Sequence, residues 1–248
     1  MRQRLSKKMF HITMVIVIVI VVSFIGLMMA LKYDTNGETN MPFDITKISV
    51  ISTVDGKDVE NSSNKWEIQV YQNNDIYIYI EKNENYTKTE LIDNVSIENF
   101  QILNKEIKDS MFFYKPSNNN VSVFENKEEY KISKIEYIGD LTSNMQNLKI
   151  SNQGRIVAFR CSNINIGTYI SNDDNEIRYD KLLNKLNVDN EKLKSVVSFD
   201  MVIKLNSGVS FKATDIKLEI PVDNIVEKGT TSMDIVDLQN IVFKRLEI

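Results

Sequence analysis

The chain has 248 residues, 30 Lys and Arg against 34 Asp and Glu, and a formal net charge of −4. Its one histidine is His11 and its one cysteine is Cys161, which excludes an intrachain disulfide. Beyond residue 31 there is therefore no Ser-His-Asp or Cys-His nucleophile and no histidine-ligated zinc; a carboxylate-pair glycosidase, a Ser–Lys dyad and oxygen-ligated calcium survive that exclusion.

Residues 10–31 form an apolar run without Asp, Glu, Lys or Arg, and 15–22 are entirely Val and Ile. At about 22 residues the run is long enough to cross a bilayer as one helix. Hydrocarbon enforces backbone hydrogen bonding, so the β-branched block is no obstacle to a helix there. Arg2, Arg4, Lys7 and Lys8 precede the run with no acidic residue among them. That bias predicts a cytoplasmic flank over 1–9, one transmembrane helix over 10–31 and an extracellular remainder. A cleaved signal peptide fits less well. Its apolar region is shorter, and Met28 stands where a small residue should precede Ala30 at a cleavage site. Gly26 and Ala30 make a small-xxx-small pair, the pattern that lets two membrane helices approach; a homodimer through this helix is the partner it would serve.

Residues 32–44 read as a polar stalk with Gly37 and Pro42, reaching at most roughly 45 Å when extended. From residue 45 the dominant pattern is alternation, the period of half-buried strands. Trp66, Ile68 and Val70 alternate with polar residues, as do Ile76, Ile78 and Ile80 with Tyr77 and Tyr79 between them. The sequence Asn73-Asn74-Asp75 predicts a three-residue hairpin turn over 66–82, pairing Val70 with Ile78 and Ile68 with Ile80. A second hairpin is predicted around Asn206-Ser207-Gly208, pairing Leu205 with Val209 and Ile203 with Phe211; Gly208 supplies the positive φ. Further strands are predicted at 47–54, 95–103, 121–124, 130–138, 155–161, 164–170 and 216–220, the last ended by Pro221. A helix is predicted over 180–186 with Asp180 as N-cap; 235–246 reads equally as strand or helix. The fold class expected is all-β, a β-sandwich or jelly roll over 45–248, with 141–151 as the place where two smaller modules would divide.

Three features could carry function. Tyr71, Tyr77 and Tyr79 fall on the outer face of the predicted hairpin among Glu67, Gln69 and Glu81, a strip suited to a protein partner or to stacking sugars. Asp173, Asp174 and Glu176 belong to a run of oxygen-bearing side chains that could hold calcium, although the EF-hand spacing and glycine are missing. The 34 acidic residues would supply a glycosidase pair, but no spacing singles one out. Cys161 lies in an apolar strand pattern and reads as a small buried hydrophobe. No cofactor motif is present.

The four basic residues before the membrane run leave the remainder near −8, against nucleic acid or polyanionic ligands. The sequence thus favours a single-pass protein of a monoderm bacterial cell envelope with a non-enzymatic extracellular β domain. Its partners would be the bilayer, through 10–31, and another membrane or envelope protein. A carbohydrate-binding module using the tyrosines is the alternative, and a glycosidase a more distant one.

Overall fold

A computed structural model describes residues 7–59, 65–104, 108–117, 121–141, 148–171 and 177–246. The chain forms two compact units, Met1–Thr39 and Asn40–Ile248.

The first unit is a single helix, α1 (Lys7–Asn36), of 30 residues and about 45 Å. It is long and apolar enough to cross a membrane. Thr13 and Thr35 donate their hydroxyls to the carbonyls of Met9 and Leu31, both at 2.9 Å, so neither brings an unsatisfied group to an apolar surface. Gly37 ends the helix in the left-handed region, with φ 66° and its N–H on the Tyr33 carbonyl at 2.8 Å. Of the residues read as a stalk, Lys32 to Asn36 therefore continue the helix, because nothing before Gly37 breaks it. Phe43 already opens the first strand and is fully buried.

The second unit is all-β. Strands make up 48% of the chain and lie in two sheets. They are β1 (Phe43–Asp58), β2 (Glu67–Lys82), β3 (Ile92–Ile102), β4 (Met111–Tyr114), β5 (Lys134–Gly139), β6 (Lys149–Ile150) and β7 (Ile156–Ile170). After a short helix α2 (Leu182–Lys185) come β8 (Val196–Leu205), β9 (Ser210–Glu219), a second short helix α3 (Ile225–Lys228), β10 (Thr230–Ile235) and β11 (Phe243–Leu246). One sheet has the order β10-β1-β2-β7-β4 and the other β11-β9-β8-β3-β5-β6. Strands from both sides of 141–151 pair within each sheet, so no division falls there.

One hydrophobic core takes side chains from both sheets, among them Ile48, Val50, Ile76, Ile78 and Val157 from the first and Val95, Ile97, Phe199, Met201 and Ile203 from the second. A smaller core joins Val54, Ile68 and Val70 to Leu182, Leu183, Leu193 and Ile225 around the short helices. Tyr137 of β5 ties the sheets together. Its hydroxyl donates to the Ala158 carbonyl at 2.6 Å and accepts from the Ala158 N–H at 3.1 Å. It thereby satisfies the edge of β7 where the four-residue β4 has stopped.

The 66–82 segment corrects the hairpin reading. It is one continuous strand, and its hairpin partner is β1, paired from Phe43↔Lys82 to Asp58↔Ile68. Inward positions keep one parity from Ile68 through Val70, Gln72, Asn74 and Ile76 to Ile80. Gln72 and Asn74 tolerate burial because they bond one another. Asn74 Oδ1 accepts from Ser52 at 2.7 Å and from Gln72 at 3.0 Å, and its Nδ2 donates to the Cys161 carbonyl at 3.0 Å. These polar residues interrupt the apolar inward series between the residues of the two cores. The strands predicted at 155–161 and 164–170 are likewise one strand, β7, beginning at Ile156, with a register shift opposite Val70/Gln72.

Residues 121–124 form no strand; Phe124 makes only an isolated bridge to Pro116. At 180–186 a single turn (Tyr179–Lys181) precedes α2, in which Leu182 and Leu183 are buried. Asp180 is not the cap, because Arg178 claims its carboxylate at 2.7 and 3.2 Å.

The 206–208 turn follows the sequence reading. Ile203 pairs with Phe211, and Leu205 donates to Val209 at 2.8 Å. Gly208 has φ 86°, and a Cβ there would meet nothing within 4 Å. Gly208→Ala should therefore cost only the left-handed backbone penalty of about 1–2 kcal/mol, read as a lowered urea midpoint. An unchanged midpoint contradicts this.

Candidate binding site on the outer face of the first sheet

The odd-numbered residues of β2 face away from the main core. Tyr71, Tyr77 and Tyr79 do share one face, although the turn that was to bring them together is absent. A hairpin would have set Tyr71 opposite Tyr77. On one strand they are six residues, about 20 Å, apart, and no continuous strip of three tyrosines forms.

Tyr77 lies between Ser49 and Ala158 and is half-buried, which pushes its hydroxyl up to about 12. Tyr79 is covered on one ring face by Lys47, whose Nζ stands 4.4 Å from the ring centroid. Lys47 also pairs with Asp234 at 3.3 Å, and Ser49 donates to the same carboxylate at 2.6 Å. Around Tyr77 and Tyr79 the polar groups already serve one another.

Tyr71 stands in a different setting. It lines a pocket of about 500 Å³ built from Asp55 and Lys57 of β1, Gln69 of β2, Tyr114 of β4, Arg160 and Ile164 of β7, and residues 124–128 and Lys131, which lie over this face. That volume suits a small ligand or one side chain of a partner. Burial and the adjoining Asp55 carboxylate push Tyr71 up to about 12. Tyr114 is only 2% exposed and offers a ligand no ring face.

Arg160 organises the pocket. Its Nε and a terminal nitrogen hold Asp75 Oδ1 and Oδ2 at 2.5 and 2.9 Å, a bidentate pair with side chains 13% and 14% exposed. Its other terminal nitrogen donates to Asn126 Oδ1 at 3.3 Å, and the guanidinium lies 5.1 Å from the Phe124 ring centroid. Asn126 donates to Asn73 Oδ1 at 2.7 Å, which also accepts from Ser162 at 2.7 Å. The sheet thus fixes the segment that walls the pocket.

The remaining charges largely cancel. Lys127 pairs with Glu125 at 2.5 Å and Lys131 with Glu128 at 2.7 Å, while Lys131 also lies 3.9 Å over the Phe112 ring. Lys57 has no ion pair among the described residues. The lining therefore offers many fixed donors and acceptors with little net charge.

Raised tyrosine values have a measurable consequence. A phenol that ionises near pH 10 in the unfolded chain and near 12 in the folded one binds more protons folded across that window. Its contribution to stability is complete below pH 10 and lost as pH rises through 12. An ultraviolet titration should show Tyr71 and Tyr77 ionising only near pH 12, with unfolding promoted above pH 10. Ionisation of both near pH 10 in the folded chain contradicts the burial described here.

Sequence reasoning missed Arg160, Asp75 and Asn126. Arg160 did carry a signal, as the single charge inside the apolar stretch 156–161. Cys161 behaves as expected: it is fully buried, and burial pushes its thiol far up, out of reach of thiolate chemistry. The calcium candidates Asp173, Asp174 and Glu176 lie outside the described residues. Among the described residues no three His, Cys, Asp or Glu gather as a metal site. Gly26 and Ala30 lie one turn apart on α1, with open space beside Gly26. No protein-family model, curated protein or solved structure matches the chain.

Proposed function

We propose that the chain is a single-pass membrane protein of a bacterial envelope that presents a non-enzymatic β-sandwich as a binding or scaffold domain for another envelope protein. The N-terminus is cytoplasmic and the β unit extracellular, a reading supported by the basic residues before the apolar run. The observation that carries the binding role is the preformed pocket beside Tyr71, with Phe124 and the immobilised Arg160 in its wall. Tyr and Arg dominate the energetics of protein interfaces, and here they are held by strands rather than by a free loop.

In-cell crosslinking of the full chain tests this. Tyr71→Ala should lower recovery of a reproducible protein partner about tenfold while leaving the fold intact. Equal recovery with Tyr71→Ala removes the pocket from the account. A saccharide is the second reading, favoured by the nearly charge-balanced, hydrogen-bonding lining. For it, Tyr71→Ala abolishes retention on immobilised cell-wall glycans, and a wild-type chain that is never retained ends that reading.

A further inference from the structure

The two sheets have four edges, and three of them are protected. Residues 130–132 cover β4 through the Tyr114↔Lys131 bridge and the bond from the Ile132 N–H to the Phe113 carbonyl at 2.9 Å. β6 is two residues long. β11 carries Lys244 and Arg245, charges that discourage edge pairing. β10 is less protected: it is six residues long, without Lys, Arg, Pro or a bulge, and its one charge, Asp234, is engaged by Lys47 of β1.

Its open groups follow from the register. The Val54 N–H bonds the Gly229 carbonyl at 2.8 Å, and the pairing continues as Ser52↔Thr231, Val50↔Met233 and Ile48↔Ile235. Hydrogen-bonded pairs alternate, so Thr230, Ser232 and Asp234 turn their N–H and C=O groups away from β1. None of these six groups has a backbone partner among the described residues.

A trough of about 520 Å³ runs beside this edge, lined by Thr231, Ser232 and Met233 on one side and by Ser195, Glu219 and Asp223 on the other. Ser195 is 3% exposed, and its hydroxyl is a buried side-chain oxygen with no hydrogen-bond partner. Lys194 at the rim is tied to Glu191 and is also within the field of Asp223, so the trough carries two carboxylates, Glu219 and Asp223, against one shared lysine.

We infer that the free edge of β10 and the trough beside it dock an extended peptide segment of a partner protein carrying a Lys or Arg side chain. A row of backbone donors and acceptors repeating every second residue, about 6.8 Å, is complemented by another extended backbone. The acidic excess of Glu219 and Asp223 over the shared Lys194 selects a basic side chain for the trough. This surface is separate from the pocket at Tyr71, so either site can fail without the other.

Linear peptides displayed on phage and selected against the full-length chain in lipid nanodiscs test the inference. The strongest binder is then measured as a synthetic peptide. The expected winners alternate β-branched residues and carry Lys or Arg. Ser232→Pro removes one outward N–H and spares the β1 ladder, so it should weaken binding about tenfold, whereas Ser232→Ala keeps the N–H and the affinity. Glu219→Lys with Asp223→Lys should weaken it as well. In the wild-type chain, amide exchange at Ser232 and Asp234 should slow on binding, a readout that stands even if the proline variant unfolds. Unchanged exchange at both amides, or no enriched peptide, overturns the proposal. Concentration-dependent dimerisation lost in Ser232→Pro also overturns it, assigning the edge to a second copy of the chain.

Discussion

Replacing Arg160 with alanine is expected to destabilise the β unit by about 3 kcal/mol, because it leaves the mostly covered Asp75 carboxylate without its counter-ion. Asp75 and Arg160 are 14% and 13% exposed, so solvent screens the pair little, and its two short bonds leave no easy rearrangement. The same change removes a donor from Asn126 and the cation beside Phe124, so the segment over the pocket loses part of its attachment. Asp75→Asn should cost less, since the amide still accepts from the guanidinium. Replacing both partners with apolar residues of similar size should recover much of the loss, the usual outcome when neither charge is stranded. Urea unfolding of all three variants checks this. A loss below about 1 kcal/mol for Arg160→Ala would place the pair among weak surface ion pairs and undo its structural role.

Phe159→Ala is expected to cost about 3–5 kcal/mol through a different cause, loss of buried aromatic volume. Phe159 is fully buried on the opposite face of β7 from Arg160. Its ring centroid lies 5.0 Å from that of Phe100, 5.2 Å from Phe199 and 6.3 Å from Phe113. Phe199 belongs to the second sheet, so the cavity would open between sheets and could not be closed by one strand shifting. Phe159→Leu should restore most of the stability. Against a domain stability of about 5–15 kcal/mol, either alanine variant consumes a large share. The two differ in their side effects. Arg160→Ala perturbs Tyr71 and the pocket, whereas Phe159→Ala should leave ligand retention unchanged below the unfolding transition.

The inward parity of β2 was legible in the sequence, and this is why Tyr71, Tyr77 and Tyr79 were assigned to a common face. What misled was Asn73-Asn74-Asp75, a run that signals a turn when it is exposed. Here Asn74 is inside, bonded to Ser52, Gln72 and the Cys161 carbonyl, and Asn73 and Asp75 are held from β7 and residue 126. All of those partners except Gln72 are distant in sequence, so local propensity lost to tertiary hydrogen bonding. The 206–208 turn was legible because Gly208 answers a local backbone requirement that no distant residue modifies.

The same distinction separates the two parts of the pocket. Tyr71 could be found from alternation alone. Arg160, Asp75 and Asn126 come together only through the β2–β7 pairing and the return of residues 121–131 over the sheet, neither of which leaves a periodic trace. The free edge of β10 was equally hidden. Residues 230–235 form an edge because β1 is their one strand partner among the described residues, a fact of topology rather than of composition.

The most direct test of an anchored binding domain is crosslinking in living cells, comparing the full chain with a secreted form that begins at Asn40, where the β unit starts. Under the proposed function one reproducible envelope protein is captured by both forms, because recognition would reside in the β unit and the helix would only hold it at the membrane. A partner captured by the full chain and lost from the secreted, folded form would contradict the account and move recognition into α1, to the face that carries Gly26 and Ala30.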